Sequence, residues 1–412
     1  MFSLFLYNLS IRFYWFAIYC ASLFNKKAKQ WVVGRKYWEC GLDEIEKKEG
    51  KRIWFHCASL GEFEQVRPVI ERIKAQSSKF KVQIVVTFFS PSGYEIRKNY
   101  EGADFVLYLP LDTKANAQKF IDCINPDLVL FVKYEFWFHY LNELKKKNIP
   151  VILFSSVFRG NQIFFKWYGI FFRDMLKMFT KIFVQNIESK DLLKNISVES
   201  EVAFDTRFDR VYQITENKKP FPSIEKFKGN SKILIAGSTW ANDEELIIHC
   251  INEDVLKEYK YIIAPHNIDQ NRIDEIVSSI KVKAKRFSQL NEANAAEVDV
   301  VIIDSIGQLS SIYAFGEIAY IGGGFNTSVH NILEAAVYGI PVLFGPNFEK
   351  SLEAKELLSY PVDDFNSLKN ALLKLEVESE RIAVGQKGKK FIEERLGGTE
   401  RIMTEVNLYL KN

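Results

Sequence analysis

Cysteine is sparse in this chain and unpaired in pattern. Cys20, Cys40, Cys57, Cys123 and Cys250 form no CxxC pair and keep no zinc-type spacing to histidine, which argues against a disulfide framework and a structural zinc site. A reducing, cytoplasmic setting fits that usage. Strong net charge is missing too: +3 over 412 residues is too little to mark a nucleic-acid binder. Neither a Walker loop nor G-x-G-x-x-G occurs, against an ATPase or a dehydrogenase. No Asp-x-Asp cluster stands in a loop suited to a metal, so no metal is expected. Solenoid repeats and low-complexity segments are absent as well.

What is present is a globular composition, 47% hydrophobic and 26% charged, on a chain long enough for two domains. Short β-rich runs alternate with helical stretches, the pattern of α/β layers on a parallel sheet. The first series of strands is Ile53–Cys57, Val82–Phe88, Phe105–Leu109, Leu128–Val132, Val151–Ser155 and Lys181–Val184. After the polar stretch Glu216–Ser231 a second series follows: Ile233–Ala236, Tyr261–Ala264, Val298–Asp304, Ile318–Ile321 and Val342–Phe344. The expected division is 1–36, an N-terminal segment; 37–215, a first Rossmann-like domain; 216–231, a linker; and 232–412, a second such domain with terminal helices.

The N-terminal segment is apolar and aromatic from Met1 to Phe24, broken by Arg12 and followed by Lys26, Lys27, Lys29, Arg35 and Lys36. Its charges follow the apolar run, unlike a secretory signal. A spanning helix needs about 20 apolar residues, and a central arginine costs it roughly 3 kcal/mol. A helix lying in the interface avoids that cost, with Arg12 reaching to headgroups. An ordinary buried first helix is the remaining alternative.

Four segments carry candidate chemistry. In His56–Pro68 a strand turns into a helix at Ser59 and Gly61, placing Glu62 in the first turn. A carboxylate there can serve as general base, or merely favour the positive end of its helix. Val86–Glu95 offers Ser90, Ser92 and Gly93 at a turn that either holds an anion or simply turns. Val132–Leu141 puts Lys133, Glu135 and Trp137 directly after a strand, as a sugar-binding surface or a plain helix start. The most informative segment is Tyr320–Lys350. A strand ends in Gly322, Gly323 and Gly324, a polar loop passes Asn326, and a helix is expected near His330 and Asn331 with Glu334 one turn in. Such a loop and helix start suit a phosphate, and Glu334 suits ribose hydroxyls. Ser238 and Thr239, with Pro265 and His266, end strands on the same sheet edge.

Taken in order, S-x-G-E (Ser59–Glu62), T-x-x-S-P-S-G, YLPLD (Tyr108–Asp112), NPDLVLFVKYEFW, GST with its Glu pair, the Pro265 turn and GGG-x-N…HN-x-LEAA…P-V-x-F-G-P resemble the Kdo (3-deoxy-D-manno-octulosonate) transferases from about Trp54 to Pro346. The resemblance implies a GT-B fold: two Rossmann-like doubly wound α/β domains facing a central cleft, with an N-terminal membrane-associating helix. It implies CMP-Kdo as donor, the lipid A precursor as acceptor, and metal-free inversion on the cytoplasmic face of a bacterial inner membrane. Glu62 matches the family's catalytic base. Ser238, Thr239, Pro265, His266, Gly323, Gly324, Asn326, His330, Asn331 and Glu334 fall on the donor side. Ser59, Gly61, Ser92, Gly93, Glu135, Trp137 and Arg207 fall on the acceptor side. The chain departs where the family has E-T-E-L-W-P, with Lys133-Tyr134-Glu135-Phe136-Trp137-Phe138. It departs again where P-R-H becomes Pro265-His266-Asn267, and where G-N-L-K becomes Phe204-Asp205-Thr206-Arg207.

Beside the basic N-terminal flank, the aromatic stretch Ile163–Phe179 is a second candidate for the membrane side, or else core. Two other readings stay open: a GT-B transferase using a UDP-sugar, and a non-enzymatic membrane-surface binding protein.

Overall fold

The computed structural model describes residues 2–36, 38, 45, 50–76, 79–216, 219–326, 328–357 and 360–411. The chain forms two compact units, residues 1–209 with 396–412, and residues 210–395.

The first unit is built on seven parallel strands: β1 (Lys51–Cys57), β2 (Val82–Phe88), β3 (Phe105–Tyr108), β4 (Leu128–Val132), β5 (Val151–Ser156), β6 (Lys181–Val184) and β7 (Glu201–Val202). They lie in the order β3-β2-β1-β4-β5-β6-β7, with β1 between β2 and β4. Successive side chains of β1 alternate between faces. Ile53, Phe55 and Cys57 join Phe63, Val66 and Ile70 of helix Leu60–Ala75. Trp54 points the other way, into a cluster with Phe120, Phe131 and Tyr140. A sheet covered on both faces explains why β4 is a continuous buried run, LVLFV.

The second unit repeats the plan with β8 (Lys232–Thr239), β9 (Tyr259–Pro265), β10 (Ala284–Arg286), β11 (Val300–Ile302), β12 (Ile318–Ile321), β13 (Val342–Phe344) and β14 (Tyr360–Pro361). Their order is β10-β11-β9-β8-β12-β13-β14, again all parallel. Leu234, Ala236 and Tyr320 face helices Ala241–Asn252 and Phe365–Glu376.

All eleven expected strands are present, five with the expected ends and six with ends shifted by one to three residues. The three short edge strands β7, β10 and β14 add to them, being too brief to show a period in sequence. Residues 216–231 do not act as linker throughout, since Pro222–Lys228 is a helix that buries Ile224 and Phe227. The last helix, Gly398–Lys411, was grouped with the second domain from sequence. It belongs to the first unit, because its apolar stripe Ile402, Met403, Val406 and Leu410 packs beside Ile53 and Phe55.

The N-terminal segment forms helices Phe2–Ala21 and Lys26–Lys36. Only Ile11 of the first is buried, so it is not an ordinary core helix. One face docks: the Tyr7 hydroxyl donates to Asp112, Asn8 bonds His139, and Tyr14 stacks on Phe89. The other face leaves Phe2, Phe5, Leu9, Phe13 and Phe16 exposed, Phe13 by 70%. Among the described residues no helix is long and apolar enough to cross a membrane. The second aromatic stretch divides between core and surface. Phe164, Met175, Leu176 and Phe179 are buried while Trp167, Tyr168 and Ile170 are exposed, and Phe171 sits 5.7 Å from Tyr7.

Met403 is fully buried against the first sheet. Met403→Ala should therefore destabilise the first unit by about 2–5 kcal/mol. The measurement is urea unfolding followed by circular dichroism; an unshifted midpoint would contradict this packing.

Candidate functional site

In each sheet the first strand of the unit divides the order. β1 is flanked by β2 and β4, and β8 by β9 and β12. Crossovers leaving such a strand and its neighbour on opposite faces diverge, which opens a crevice at the strands' carboxyl ends. The first unit has its β1/β4 edge there, and the second its β8/β12 edge. Most of the residues singled out in the sequence stand on one of these two edges.

At the first edge, β1 runs through Ala58 and Ser59 into helix Leu60–Ala75. The Ser59 hydroxyl caps that helix by accepting from the Glu62 N–H. The Glu62 carboxylate folds back to accept the Ala58 N–H at 2.5 Å. Burial raises its pKa to about 7, helped by the like charge of Glu135, while the Ala58 amide, Lys133 and the Ser59 amide pull the other way. A carboxyl so placed is part-ionised near neutral pH, as a general base requires. Gly61 has no packing reason to be glycine: the nearest atom to an added Cβ is the Ser59 hydroxyl at 4.0 Å. Gly93 does, since a Cβ there would meet the Phe88 ring at 2.4 Å and the Leu60 nitrogen at 3.2 Å. Ser92 bonds Ser90, hydroxyl to hydroxyl at 2.7 Å and amide to hydroxyl at 3.3 Å.

Glu135 is nearly buried and faces inward. Its Oε2 accepts Trp137 Nε1 at 2.6 Å and bonds His56 Nε2 at 2.8 Å. An ionised carboxylate only accepts, so Nε2 donates to Glu135, while Nδ1 lies 2.8 Å from the Thr87 hydroxyl and 3.2 Å from the Thr87 carbonyl. Trp54 donates to the same hydroxyl. A polar chain thus links Trp54, Thr87, His56 and Glu135. Glu135 and Trp137 were expected to face the acceptor; the structure instead commits the Glu135 Oε2 to His56 and stacks Trp137 on Phe89 at 5.0 Å. His56 itself was missed as a site residue, because a lone histidine in a β-run reads as core and its partner is 79 residues away.

Arg207 is likewise committed. Its guanidinium and amide hold Asp205, which also accepts from Gln65 and Gln185. Burial pushes the Asp205 carboxyl up, but Arg207's charge and hydrogen bonds, with Lys133's charge, bring it below its ordinary value. The Arg207 cation, expected on the acceptor side, is thus compensated by Asp205. Phe204, at the position where the resemblance implies a glycine, has φ 55, a left-handed backbone that favours glycine.

At the second edge, β8 breaks register with β9 around Ser238, whose φ is 54. Lys133, just after β4, has φ 58. Non-glycine residues rarely adopt this conformation, and here both edges hold one. The Thr239 hydroxyl donates to Glu244, which also pairs with Arg272. Trp240, His266 and His330 stack in a row, with ring centroids 4.5 Å and 4.6 Å apart. His266 follows Pro265, and its N–H donates to the Thr239 carbonyl. Trp240 Nε1 donates to His330 Nε2 at 3.0 Å, which leaves the His330 proton on Nδ1. Burial, with repulsion from His266, lowers the His330 pKa to about 4, so it is neutral at physiological pH. Trp240 was not singled out from sequence; an aromatic directly after a strand end was the available signal.

The glycine loop differs from expectation in two ways. First, the glycines answer to protein packing: a Cβ on Gly322 would meet the Ser238 carbonyl at 2.3 Å, on Gly323 the Ser328 carbonyl at 2.7 Å, and on Gly324 the Gly345 backbone at 2.6 Å. Second, the helix is a single turn, Leu333–Ala336, rather than one beginning near His330. Asn331 precedes it, its side-chain Oδ1 accepting Leu333 N–H and its Nδ2 donating to Glu334. Several loop amides are already used. Asp243 holds Gly323 N–H, while Gly322, Asn326 and His330 donate to backbone carbonyls. Among the described residues, Gly324 and Phe325 N–H have no protein acceptor. No cluster of metal-binding side chains exists among the described residues.

Residues 35–210 match the family model of 3-deoxy-D-manno-octulosonic-acid transferase (Kdo transferase). A bifunctional glycosyltransferase/methyltransferase of Fusobacterium nucleatum is 25% identical over 332 residues, covering 77% of this chain and 50% of that protein. The 3-deoxy-D-manno-octulosonic acid transferase of Chlamydophila psittaci is 25% identical over 88% of this chain and 86% of its own length. That of Aquifex aeolicus is 27% identical over 74% and 79%. Among solved structures, the UDP-GlcNAc 2-epimerase of Neisseria meningitidis superposes with a TM-score of 0.60 at 17% identity, covering 88% of this chain and 100% of that one. MurG of Acinetobacter baumannii does so with a TM-score of 0.53 at 11% identity, covering 88% and 100%. These structural likenesses speak for the fold, two parallel-sheet domains of the GT-B kind. The chain is therefore similar to the Kdo transferases, through the family model over residues 35–210 and through relatives 25–27% identical over 74–88% of its length.

Proposed function

We propose that this protein moves Kdo from CMP-Kdo to the lipid A precursor with inversion at the anomeric carbon. The observation that carries the reading is Glu62: a part-buried carboxyl with its pKa raised to about 7, at the β1/β4 edge, inside the segment that matches the family. In the proposed step an acceptor hydroxyl gives its proton to Glu62 as its oxygen attacks the anomeric carbon. The bond to CMP breaks, and its electron pair leaves on the phosphate oxygen.

The donor side falls to the β8/β12 edge. Gly324 and Phe325 N–H, the Ser238 hydroxyl and the neutral His330 Nδ1–H are the donors for the leaving phosphate, with Thr239, committed to Glu244, positioning the strand end behind them. Donors set in place before the reaction stabilise developing charge without reorganising. Asn326, Asn331, Glu334, Pro265, His266 and Gly323 complete the nucleotide side. Ser59, Gly61, Ser92 and Gly93 border the acceptor hydroxyl at the other edge, with Glu135, Trp137 and Arg207 as positioning residues behind them. The exposed aromatic face of helix Phe2–Ala21 and the tip at Trp167–Ile170 support work at a cytoplasmic membrane surface on a lipid acceptor.

Glu62→Ala is expected to lower the rate of CMP release with acceptor by roughly 10²–10⁴-fold while leaving donor binding intact; unchanged turnover would remove Glu62 from the mechanism. Because a base must be ionised, kcat/KM should rise with pH up to about 7 and level off above it. Glu135→Gln removes the like charge, so its acid limb should move to lower pH; an unmoved limb would refute the coupling. Excess CMP should raise the melting temperature, by about 2.7 kcal/mol of stability at a hundred times its dissociation constant. UDP should raise it less, and the reverse order would favour a UDP-sugar donor.

A further inference from the structure

Arg12, the charge that interrupts the apolar N-terminal run, has no part in the reaction proposed above. It lines a cavity of about 220 Å³ in the first unit, together with Trp15, Arg35, Trp38, Leu111 and Asn116. The cavity holds two guanidinium groups, and among the described residues no carboxylate lines it.

Arg35 is the more constrained of the two. Its Nε donates to the Leu109 carbonyl at 2.8 Å, Nη2 to that of Phe89 at 2.6 Å and Nη1 to that of Trp31 at 3.3 Å. Its guanidinium carbon lies 4.0 Å from the centroid of the Trp31 ring. These three acceptors are all neutral, and a guanidinium has five N–H groups to place. Burial brings its pKa down to about 9. A cation withdrawn from water without a counter-charge is costly, and an anion beside it relieves that cost. Arg12 adds to the same field: among the described residues it has neither a hydrogen-bond nor an ion-pair partner. The Trp15 and Trp38 indoles add apolar walls, and each N–H is a donor only.

We propose that this cavity binds the phosphate of an anionic membrane lipid, with Arg12 and Arg35 meeting the charge and Trp15 and Trp38 flanking the ester stem. A lipid suits it better than free phosphate on two grounds. The volume is several times the roughly 30 Å³ that a single water takes, so it has room for a stem beyond the phosphate. Arg12 also stands among the exposed Leu9, Phe13 and Phe16 of its helix, a surface that acyl chains can cover. The site does not depend on Kdo transfer, so the two proposals stand or fall separately.

The test is flotation of the full chain with phosphatidylcholine vesicles, with and without phosphatidic acid. The expected result is tighter binding to the anionic vesicles. Arg12→Gln, at an exposed position that should fold normally by circular dichroism, should weaken that binding by about tenfold or more, as the loss of a charge-assisted hydrogen bond does. Lys27→Gln removes the same charge from the exposed start of the next helix and should cost about fivefold or less. Equal losses in the two variants would overturn the proposal in favour of diffuse surface attraction. Displacement of the wild-type chain from anionic vesicles by inorganic phosphate would overturn the lipid assignment.

Discussion

In a parallel sheet every crossover is right-handed, so the helices that follow two neighbouring strands can leave on opposite faces only where the strand order reverses. That constraint decides where chemistry can sit in each unit of this protein. Helices cover both faces of each sheet, and at the carboxyl ends of the strands the point of reversal is where they part. In the first unit the reversal is at β1 and β4, and in the second at β8 and β12. Strand ends that diverge expose backbone polar groups and turn residues together, which brings Glu62 near Lys133 and Glu135, and Trp240 near His330.

The first edge shows how charge is tuned by such a setting. Glu62 is withdrawn from water and sits near a second carboxylate, both of which favour its protonated form, while two amides and Lys133 favour the ionised one. Neither side wins outright, and the balance lies near neutrality. Glu135 can remain there because His56 and Trp137 donate to it. The polar chain from Trp54 through Thr87 supports His56 in turn. The layer behind the proposed base is thus a set of satisfied buried groups, which holds its geometry more firmly than exposed side chains would.

The second edge is shaped by close backbone contact. Three glycines let the loop after β12 lie against the end of β8 and against Gly345. Asp243 joins the pieces, accepting from Trp240 N–H, Tyr320 and Gly323 N–H. Packing accounts for the glycines and, among the described residues, leaves the Gly324 and Phe325 amides without a protein acceptor.

The amino-acid sequence by itself determined the two series of strands and the polar turn after each, because runs such as LVLFV and the turn at Ser59–Glu62 are local signals. It also determined which residues stand at the strand ends, and the family resemblance was legible in them. It did not reveal that the final helix packs beside β1, that Phe204 takes a left-handed backbone, or that Arg207 is spent on Asp205. Nor did it reveal the partnership of His56 with Glu135, or the row of Trp240, His266 and His330. The helix docking, the His56–Glu135 pair and the ring stack depend on contacts between residues tens to hundreds of positions apart, and the Asp205–Arg207 pair, though local, sits where Gln65 from far along the chain also reaches Asp205. A side chain's protonation and partners follow from what surrounds it in space, and only the folded chain supplies those surroundings.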